Sequence, residues 1–264
     1  MQFVRYCFII VFKLVWGVCD LGEVISFISG KGGVGKSALC AGIATVLATS
    51  GRRVLCIDGD VGLRNLDVFL GISGTEVLSF LDVCGGDYDL SQAAVHPQYP
   101  NLHFLTAPAN RSADHVDQDA FGSLIARARQ EYEYIFLDAP AGIDSGFQLA
   151  ARFAQRIIVV TLADPAAVRD AARTGQVLEL MGKHDVRVVV NRVNKKIFST
   201  MSVTVDDVMD TTGLPLLGVV PEDPNVTLAA AFGHPLIQYT NRGAAKVCSA
   251  IARRIQGLSV PLSM

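Results

Sequence analysis

The chain has 264 residues, a formal net charge of −2 and a sequence pI of about 6.2, so it can form one large α/β domain or two small ones. Half of its residues are hydrophobic and only 18% are charged, which is typical of a sheet that is buried on both faces. Because there is no basic excess, the composition argues against non-specific binding of nucleic acid, and no specific nucleic-acid partner is expected.

The six cysteines include no C-x-x-C pair. This spacing argues against a metal or iron–sulfur site built within one chain. A disulfide framework is not expected at this chain length either, and reduced thiols in a cytosolic protein are the default interpretation.

Residues 1–20 form an apolar extension, and "FVRYCFIIVFKLVWGVC" is interrupted by Arg5 and Lys13. The run is shorter than the ~20 residues that a membrane-spanning helix needs. Three interpretations remain: sequence upstream of a true start at Leu21, a membrane anchor, or an element that covers the core. The domain itself is expected over residues 21–258, with a tail over residues 259–264.

Strand and helix patterns alternate along the domain. In chain order they predict a strand over residues 24–29, a helix over 38–49, strands over 54–57 and 102–105, a helix over 116–131, strands over 134–137 and 157–160, a helix over 166–181, a strand over 186–190, a helix over 203–209, a strand over 216–220 and a closing helix over 244–258. This alternation predicts a three-layer α/β/α fold with a mostly parallel, twisted sheet of roughly seven to eight strands.

Five chemically suggestive residues follow predicted strands directly: Gly30, Asp58, Asp138, Asn191 and Pro221. Ligands of such sheets bind beyond the carboxyl ends of the strands. All five residues are therefore expected to face one crevice.

The segment "SGKGGVGKSALC" contains the pattern G-x-x-x-x-G-K-[ST] between a predicted strand and a predicted helix. Glycines allow positive φ angles, so that backbone N–H groups and the helix N-terminus can point at phosphate oxygens. The lysine of the pattern should meet the β- and γ-phosphates, and the following hydroxyl should bind Mg²⁺. The predicted phosphate-binding residues are Gly30, Lys31, Gly32, Gly33, Val34, Gly35, Lys36, Ser37 and Ala38.

Three aspartates are candidates for the chemistry of the bound phosphates. Asp138 ends the apolar "YIFLD" and is the expected Mg²⁺-linked carboxylate, although a loop aspartate that caps a helix is the plainer alternative. Asp58 and Asp60 should reach the γ-phosphate, where a carboxylate can orient or deprotonate water. Their alternative is a turn rich in Asp and Gly. The predicted metal ligands are Ser37, Asp58 and Asp138.

Several segments together resemble the ParA/MinD family of deviant Walker A P-loop ATPases over about residues 23–258: "KGGVGKS", "GLRNLDVFLGI", "LDAPAGID", "VRDA" and "VVPEDP". The resemblance implies a P-loop NTPase fold of the SIMIBI type. It also implies binding of ATP or ADP with Mg²⁺, and hydrolysis of ATP to ADP and phosphate.

The resemblance also assigns roles to single residues. Lys31, the second lysine of the loop, would cross a two-fold interface and contact the phosphates of the partner subunit in an ATP-bound homodimer. Asp58 and Asp60 would lie in the first switch segment, with Asp60 positioning water, and Asp138 would open the second switch. The adenine base would be held by Asn191, Pro221, Glu222 and Asp223.

Partners and location follow from the same resemblance. It implies placement of the bacterial division septum, a division inhibitor of the MinC type, and a MinE-type or other topological regulator. The protein would be cytoplasmic and peripheral at the inner face of the cell membrane, on an anionic membrane surface. Relatives usually end in an amphipathic membrane helix. Here the apolar stripe of the closing helix (Val247, Ile251, Ile255 and Leu258) is instead expected to pack on the sheet.

Gly59, Asp144 and the pair Ala163–Asp164 depart from the usual residues of the family. These positions affect the expected rate of hydrolysis and the choice of partner, not nucleotide binding. The alternatives are therefore a family member that controls flagellar number or partitions chromosomes or plasmids, a nitrogenase-reductase-like electron donor, and a non-catalytic nucleotide-dependent scaffold.

Overall fold

A computed structural model describes residues 21–61, 64–74, 76–108, 116–194 and 204–262. The expectations for residues 1–20, for the helix start at Val203 and for the last two residues of the tail lie outside these ranges. The strands are β1 Glu23–Ser29, β2 Val54–Asp58, β3 Ala94–His96, β4 Tyr99–Leu105, β5 Tyr134–Ala141, β6 Arg156–Leu162, β7 Val186–Val193 and β8 Leu216–Pro221.

The α-helices are α1 Lys36–Thr49, α2 Leu66–Leu70, α3 Phe80–Cys84, α4 Gln118–Glu131, α5 Ser145–Phe153, α6 Pro165–Leu180, α7 Val205–Thr212, α8 Pro224–Ala231, α9 Leu236–Tyr239 and α10 Ala244–Ile255. A 3₁₀ turn covers Leu90–Gln92. All the predicted strands and helices are present, within a few residues of the expected bounds.

The described strands form one eight-stranded sheet in the order β3-β4-β2-β5-β1-β6-β7-β8. Every neighbouring pair is parallel except β3 and β4, which are antiparallel at the edge. The predicted three-layer α/β/α fold with a mostly parallel sheet is confirmed. β1 lies between β5 and β6, so the loop that follows it opens at the centre of the crevice.

The central strand shows why the sheet is buried on both faces. Alternate side chains of a strand point to opposite faces. In β1, Ile25 and Phe27 belong to the core cluster that includes α1 and α10, whereas Val24 and Ile28 belong to the cluster that includes α4, α5 and α6. Helices therefore cover both faces, and the strands read as continuous apolar runs.

The closing helix packs on the sheet as expected, with Val247, Ile251 and Ile255 buried. The expected end at Leu258 is wrong, because α10 ends at Ile255 and Leu258 is 49% exposed. After this end, the guanidinium of Arg254 donates to the carbonyls of Leu217, at 2.8 Å, and of the tail residues Val260 and Pro261. Across the described residues, none of the helices is both long and apolar enough to cross a bilayer.

The structure contains short elements that no pattern indicated: α2, α3, α5, α8, α9, the 3₁₀ turn and β3. Most of them span a single turn or two, so they show little helical periodicity in the sequence. Two predicted strand ends are also displaced. Asp138 and Asn191 lie within β5 and β7, which continue past them by pairing with neighbouring strands.

Two glycines test the packing of the helices on the sheet. A Cβ atom on Gly218 in β8 would lie 2.8 Å from Cδ1 of Ile251, whereas one on Gly175 in α6 would meet its nearest atom, the carbonyl of Thr212, at 3.4 Å. Gly218→Ala should lower the free energy of unfolding by ~1–3 kcal/mol through overpacking. Gly175→Ala should raise it by ~0.5–1 kcal/mol, because alanine favours the helix. Urea denaturation measures both, and equal effects of the two changes would contradict this packing.

Candidate functional site

The glycine loop between β1 and α1 adopts the conformation that phosphate binding needs. Gly33 and Gly35 have φ angles of 76° and 88°, and Gly35 immediately precedes α1. No side chain caps this helix start and no acidic residue lies in its first turn. The positive end of the α1 dipole and its free N–H groups are therefore available to an anion.

A buried ion pair lies beneath the loop. Nζ of Lys36 lies 2.5 Å from Oδ1 of Asp138, and the two side chains are only 7% and 1% exposed. Lys36 begins α1 and Asp138 lies in β5, so the pair joins the loop to the neighbouring strand. A charge buried in this way is stable only when an opposite charge compensates it.

The second carboxylate oxygen of Asp138, Oδ2, is buried and accepts no hydrogen bond from protein atoms. An unpaired carboxylate oxygen, with the hydroxyl of Ser37 in the wall of the adjoining cavity, is a donor set that fits Mg²⁺ and its water ligands. Asp138 and Ser37 would thus hold the ion. The structure gives no contact between the Ser37 hydroxyl and Asp138.

Asp58 is the neighbour of Asp138 in register between β2 and β5 and is fully buried. Its two oxygens accept the backbone N–H groups of Asp60, at 2.9 Å, and Leu66, at 3.2 Å. Burial, and then the charge of Asp138, raise the pKa of Asp58 to about 7. These bonds occupy Asp58 in shaping the first switch segment, which makes it a weaker metal ligand than Asp138.

Asp60 has the opposite character. Its side chain is half-buried and lines the main cavity, and burial raises the pKa of its carboxyl above the usual range although the charge of Lys36 lowers it. A carboxylate in the cavity wall near the Lys36 charge can meet a water molecule beside bound phosphate. Of the two switch aspartates, the geometry therefore favours Asp60 for the water.

One cavity of about 460 Å³ runs from the loop to the segment after β8. Its wall includes the loop residues 32–38, Asp60, Asn191 and residues 221–223. The structure thus brings the predicted phosphate and adenine residues into one space. Gly30 and Lys31 are not part of the wall: Gly30 packs closely against the Asp170 carbonyl of α6, and Lys31 is exposed.

At the far end of the cavity, the predicted base-binding side chains are engaged with the protein. Nδ2 of Asn191 donates to the carbonyl of Val34 at 2.7 Å, which ties β7 to the loop. Glu222 accepts two hydrogen bonds from Arg192, whose Nη1 also donates to the Gly33 carbonyl. These side chains therefore shape the base-binding end, so that a base would meet backbone and apolar groups.

Asp223 frames the same end of the cavity. One of its oxygens accepts the N–H of Asn225 in the first turn of α8, and the other accepts the N–H of Ala244 at the start of α10. Pro221 ends β8 in the cavity wall. Asp223 therefore holds two helix starts in place.

Several wall residues were not predicted from the sequence: Phe69, Arg192, Val226, Leu236 and Cys248. Four of them present apolar atoms or a thiol, and a pattern search for charged and glycine-rich chemistry does not detect such residues. Arg192 could have been noticed, since it follows Asn191 directly, but its φ of 56° and its bond to Glu222 appear only in three dimensions.

The burial of Asp58 predicts a pH dependence of stability. Its folded pKa of about 7 lies above the unfolded value of 3.8, so the folded state binds more protons between these values and stability should fall as pH rises through this range. Replacing Asp58 by Asn should remove this loss, which is on the order of 4 kcal/mol. Denaturation at pH 5 and pH 8, in chelator and without nucleotide, measures it. Parallel pH profiles of the two proteins would contradict the raised pKa.

Comparisons with known proteins agree with this geometry. Residues 25–236 match the profile of the CobQ/CobB/MinD/ParA nucleotide binding domain. The septum site-determining protein MinD of Synechocystis sp. is 34% identical over 91% of this chain and 92% of its own length. The protein of the same name from Bacillus subtilis is 36% identical over 92% of both chains.

Solved structures are similar over the same range. The MinC:MinD cell division protein complex of Aquifex aeolicus contains a chain with a TM-score of 0.85 and 34% identity, covering 92% of this chain and 99% of that one. MinD of Pyrococcus horikoshii complexed with Mg-ADP has a TM-score of 0.77 and 27% identity, covering 89% of this chain and 96% of that one. The profile match and the relatives above 30% identity together show that this chain belongs to the MinD family of nucleotide-binding proteins.

Proposed function

We propose that the chain is an Mg²⁺-dependent ATPase of the MinD type that takes part in placing the bacterial division septum. The observation that carries this proposal is the Lys36–Asp138 pair beneath a glycine loop that opens into a 460 Å³ cavity. Cavities of ~300–1,000 Å³ are usual for small-molecule sites. Its relatives are septum site-determining proteins, and one related structure contains Mg-ADP.

The loop residues would bind the phosphates. Backbone N–H groups of residues 32–37 and the start of α1 offer donors to phosphate oxygens, and Lys36 adds a positive charge that is already held in place. When phosphate arrives, the Lys36 ammonium can be shared between it and Asp138. Asp138 thus keeps the lysine oriented before binding and compensated throughout.

Asp60 would position and activate the attacking water, while Asp138 and Ser37 would hold Mg²⁺, which neutralises charge on the transferred phosphoryl group. The half-buried position of Asp60 in the cavity wall leaves its carboxylate accessible to a water molecule. Asp58 would act through the backbone, because its oxygens hold the N–H groups of Asp60 and Leu66 and so fix the segment that carries Asp60.

Lys31 would complete the phosphate site of a second subunit. It is exposed and lies outside the cavity wall of its own chain, although it is part of the same glycine loop. Two ATP-bound faces that approach each other would repel, and a lysine from each side would offset the charge of the other nucleotide. Dimerisation would then depend on ATP.

The resulting dimer would recruit a division inhibitor of the MinC type at the membrane, as the Aquifex complex of MinC with MinD suggests by its composition. We further propose that residues 21–258 form the ATPase domain. Residues 1–20 would be either translated upstream sequence or an anchor at the inner membrane face, and mass spectrometry of the native N-terminus distinguishes these cases.

Lys31→Ala tests the dimer. The variant should bind ATP with nearly unchanged affinity and stay monomeric, because only the contact with the partner's phosphates is lost. Light scattering coupled to gel filtration, with ATP and Mg²⁺, reports the mass. Lys246→Ala removes another exposed lysine and serves as the matched control, which should dimerise normally. An ATP-induced dimer of the Lys31 variant would refute the role.

Asp60→Asn tests the chemistry. Turnover of ATP should fall ~10²-fold or more if this carboxylate activates water, whereas the affinity for ADP should change little. A phosphate-release assay gives the rate, and calorimetry gives the affinity. Asp87→Asn, at an exposed aspartate outside the cavity wall, is the control. Unchanged turnover of the Asp60 variant would assign the water to another group.

A further inference from the structure

The outer face of the helices beside the cavity carries an exposed apolar cluster. Phe232 directly follows α8 and is 64% exposed, and its ring stacks on that of Tyr239 in α9, with the centroids 6.1 Å apart. Leu228 lies one turn earlier in α8 and is also exposed. These three side chains, called here the aromatic patch, form an apolar surface that no described residue covers.

The charge around this patch has one sign. No aspartate or glutamate follows Asp223, whereas Arg242, Lys246, Arg253 and Arg254 carry a formal charge of +4, in a chain whose total is −2. Arg254 is engaged with backbone carbonyls, but the other three side chains are exposed and form no ion pair within the described part of the chain. They are therefore free to meet an anionic partner.

The three free cations form a row. Lys246 and Arg253 are seven residues apart on α10 and so share one helix face, and Arg242 lies one turn before Lys246. The opposite face of α10 packs on α1 and β8 through Val247 and Ile251, so the basic row points away from the core. A basic row beside exposed aromatic rings is the composition of a surface that rests on anionic lipid headgroups.

We propose that the aromatic patch and the basic row of Arg242, Lys246 and Arg253 form a surface that binds an anionic phospholipid membrane. This inference rests on the proposed function, since it names the part of the folded domain that meets the membrane. The occupant is lipid and not a protein groove, because an all-basic surface complements many anionic headgroups without a fixed pattern of partners.

The patch also has a direct connection to the nucleotide site. Val226 and Thr227 of α8 line the main cavity, and Leu228 follows them on the exposed side. Leu236, at the start of α9, lines the cavity too. The same two short helices thus have one face toward nucleotide and the other toward the membrane. Binding that orders these helices on one side should strengthen binding on the other, by linkage.

Sedimentation with vesicles tests the surface, using the full chain with ATP and Mg²⁺. The parental protein should bind vesicles of phosphatidylglycerol and phosphatidylcholine, and bind pure phosphatidylcholine much less. The double change Leu228→Ser with Phe232→Ser should weaken binding by about tenfold, and Arg242→Glu with Lys246→Glu by a similar factor. Leu180→Ser alters the most exposed leucine of the described chain, 89% exposed on α6, and should bind as the parent does.

The outcomes separate this inference from the proposed function, because ATP turnover of the same samples is measured without vesicles. Parental affinity in the Leu228/Phe232 double variant would overturn the surface and assign membrane binding elsewhere, for example to residues 1–20. Equal binding to neutral and anionic vesicles would overturn it as well. So would a loss of ATP-dependent dimer mass in that variant with unchanged vesicle binding, since the patch would then face a second copy. Absent turnover in the parent would instead contradict the proposed ATPase.

Discussion

The buried pair of Lys36 and Asp138 is the constraint on which the site depends. Moving two charges out of water costs several kcal/mol per ion, and removal of one partner from a buried pair typically costs ~3–5 kcal/mol. The protein keeps the pair because α1 and β5 bring the two groups within 2.5 Å of each other. A phosphate ligand can take over part of the compensation, so the fold holds its main binding charge ready at the cost of some stability.

The loop chemistry and the order of the main elements could be predicted from the sequence, because apolar runs and the G-x-x-x-x-G-K-S pattern are local signals. The roles of Asn191 and Glu222 could not, because their partners Val34 and Arg192 are selected by the packing of β7 against the loop. Asp58 shows the same limit. Its position after a strand was visible, but its two backbone hydrogen bonds and its raised pKa depend on burial.

The distribution of charge and apolar surface divides the molecule by function. All of its acidic residues precede α8, and they include the carboxylates that surround the phosphate site. The segment that follows Asp223 contributes cations and exposed rings outside and cavity wall inside. The C-terminal part of the domain thus serves both the base-binding end of the cavity and an outer surface, with only short helices between them.

The bond from Asn191 to the Val34 carbonyl has a consequence for the dynamics of the loop. A surface loop usually opens by itself, with little free energy. Here a side chain of a central strand holds the loop backbone, and Gly35 has no room for a Cβ beside that side chain. The loop should therefore open together with the sheet, and the amide hydrogens at the start of α1 should exchange with solvent as slowly as those of β7.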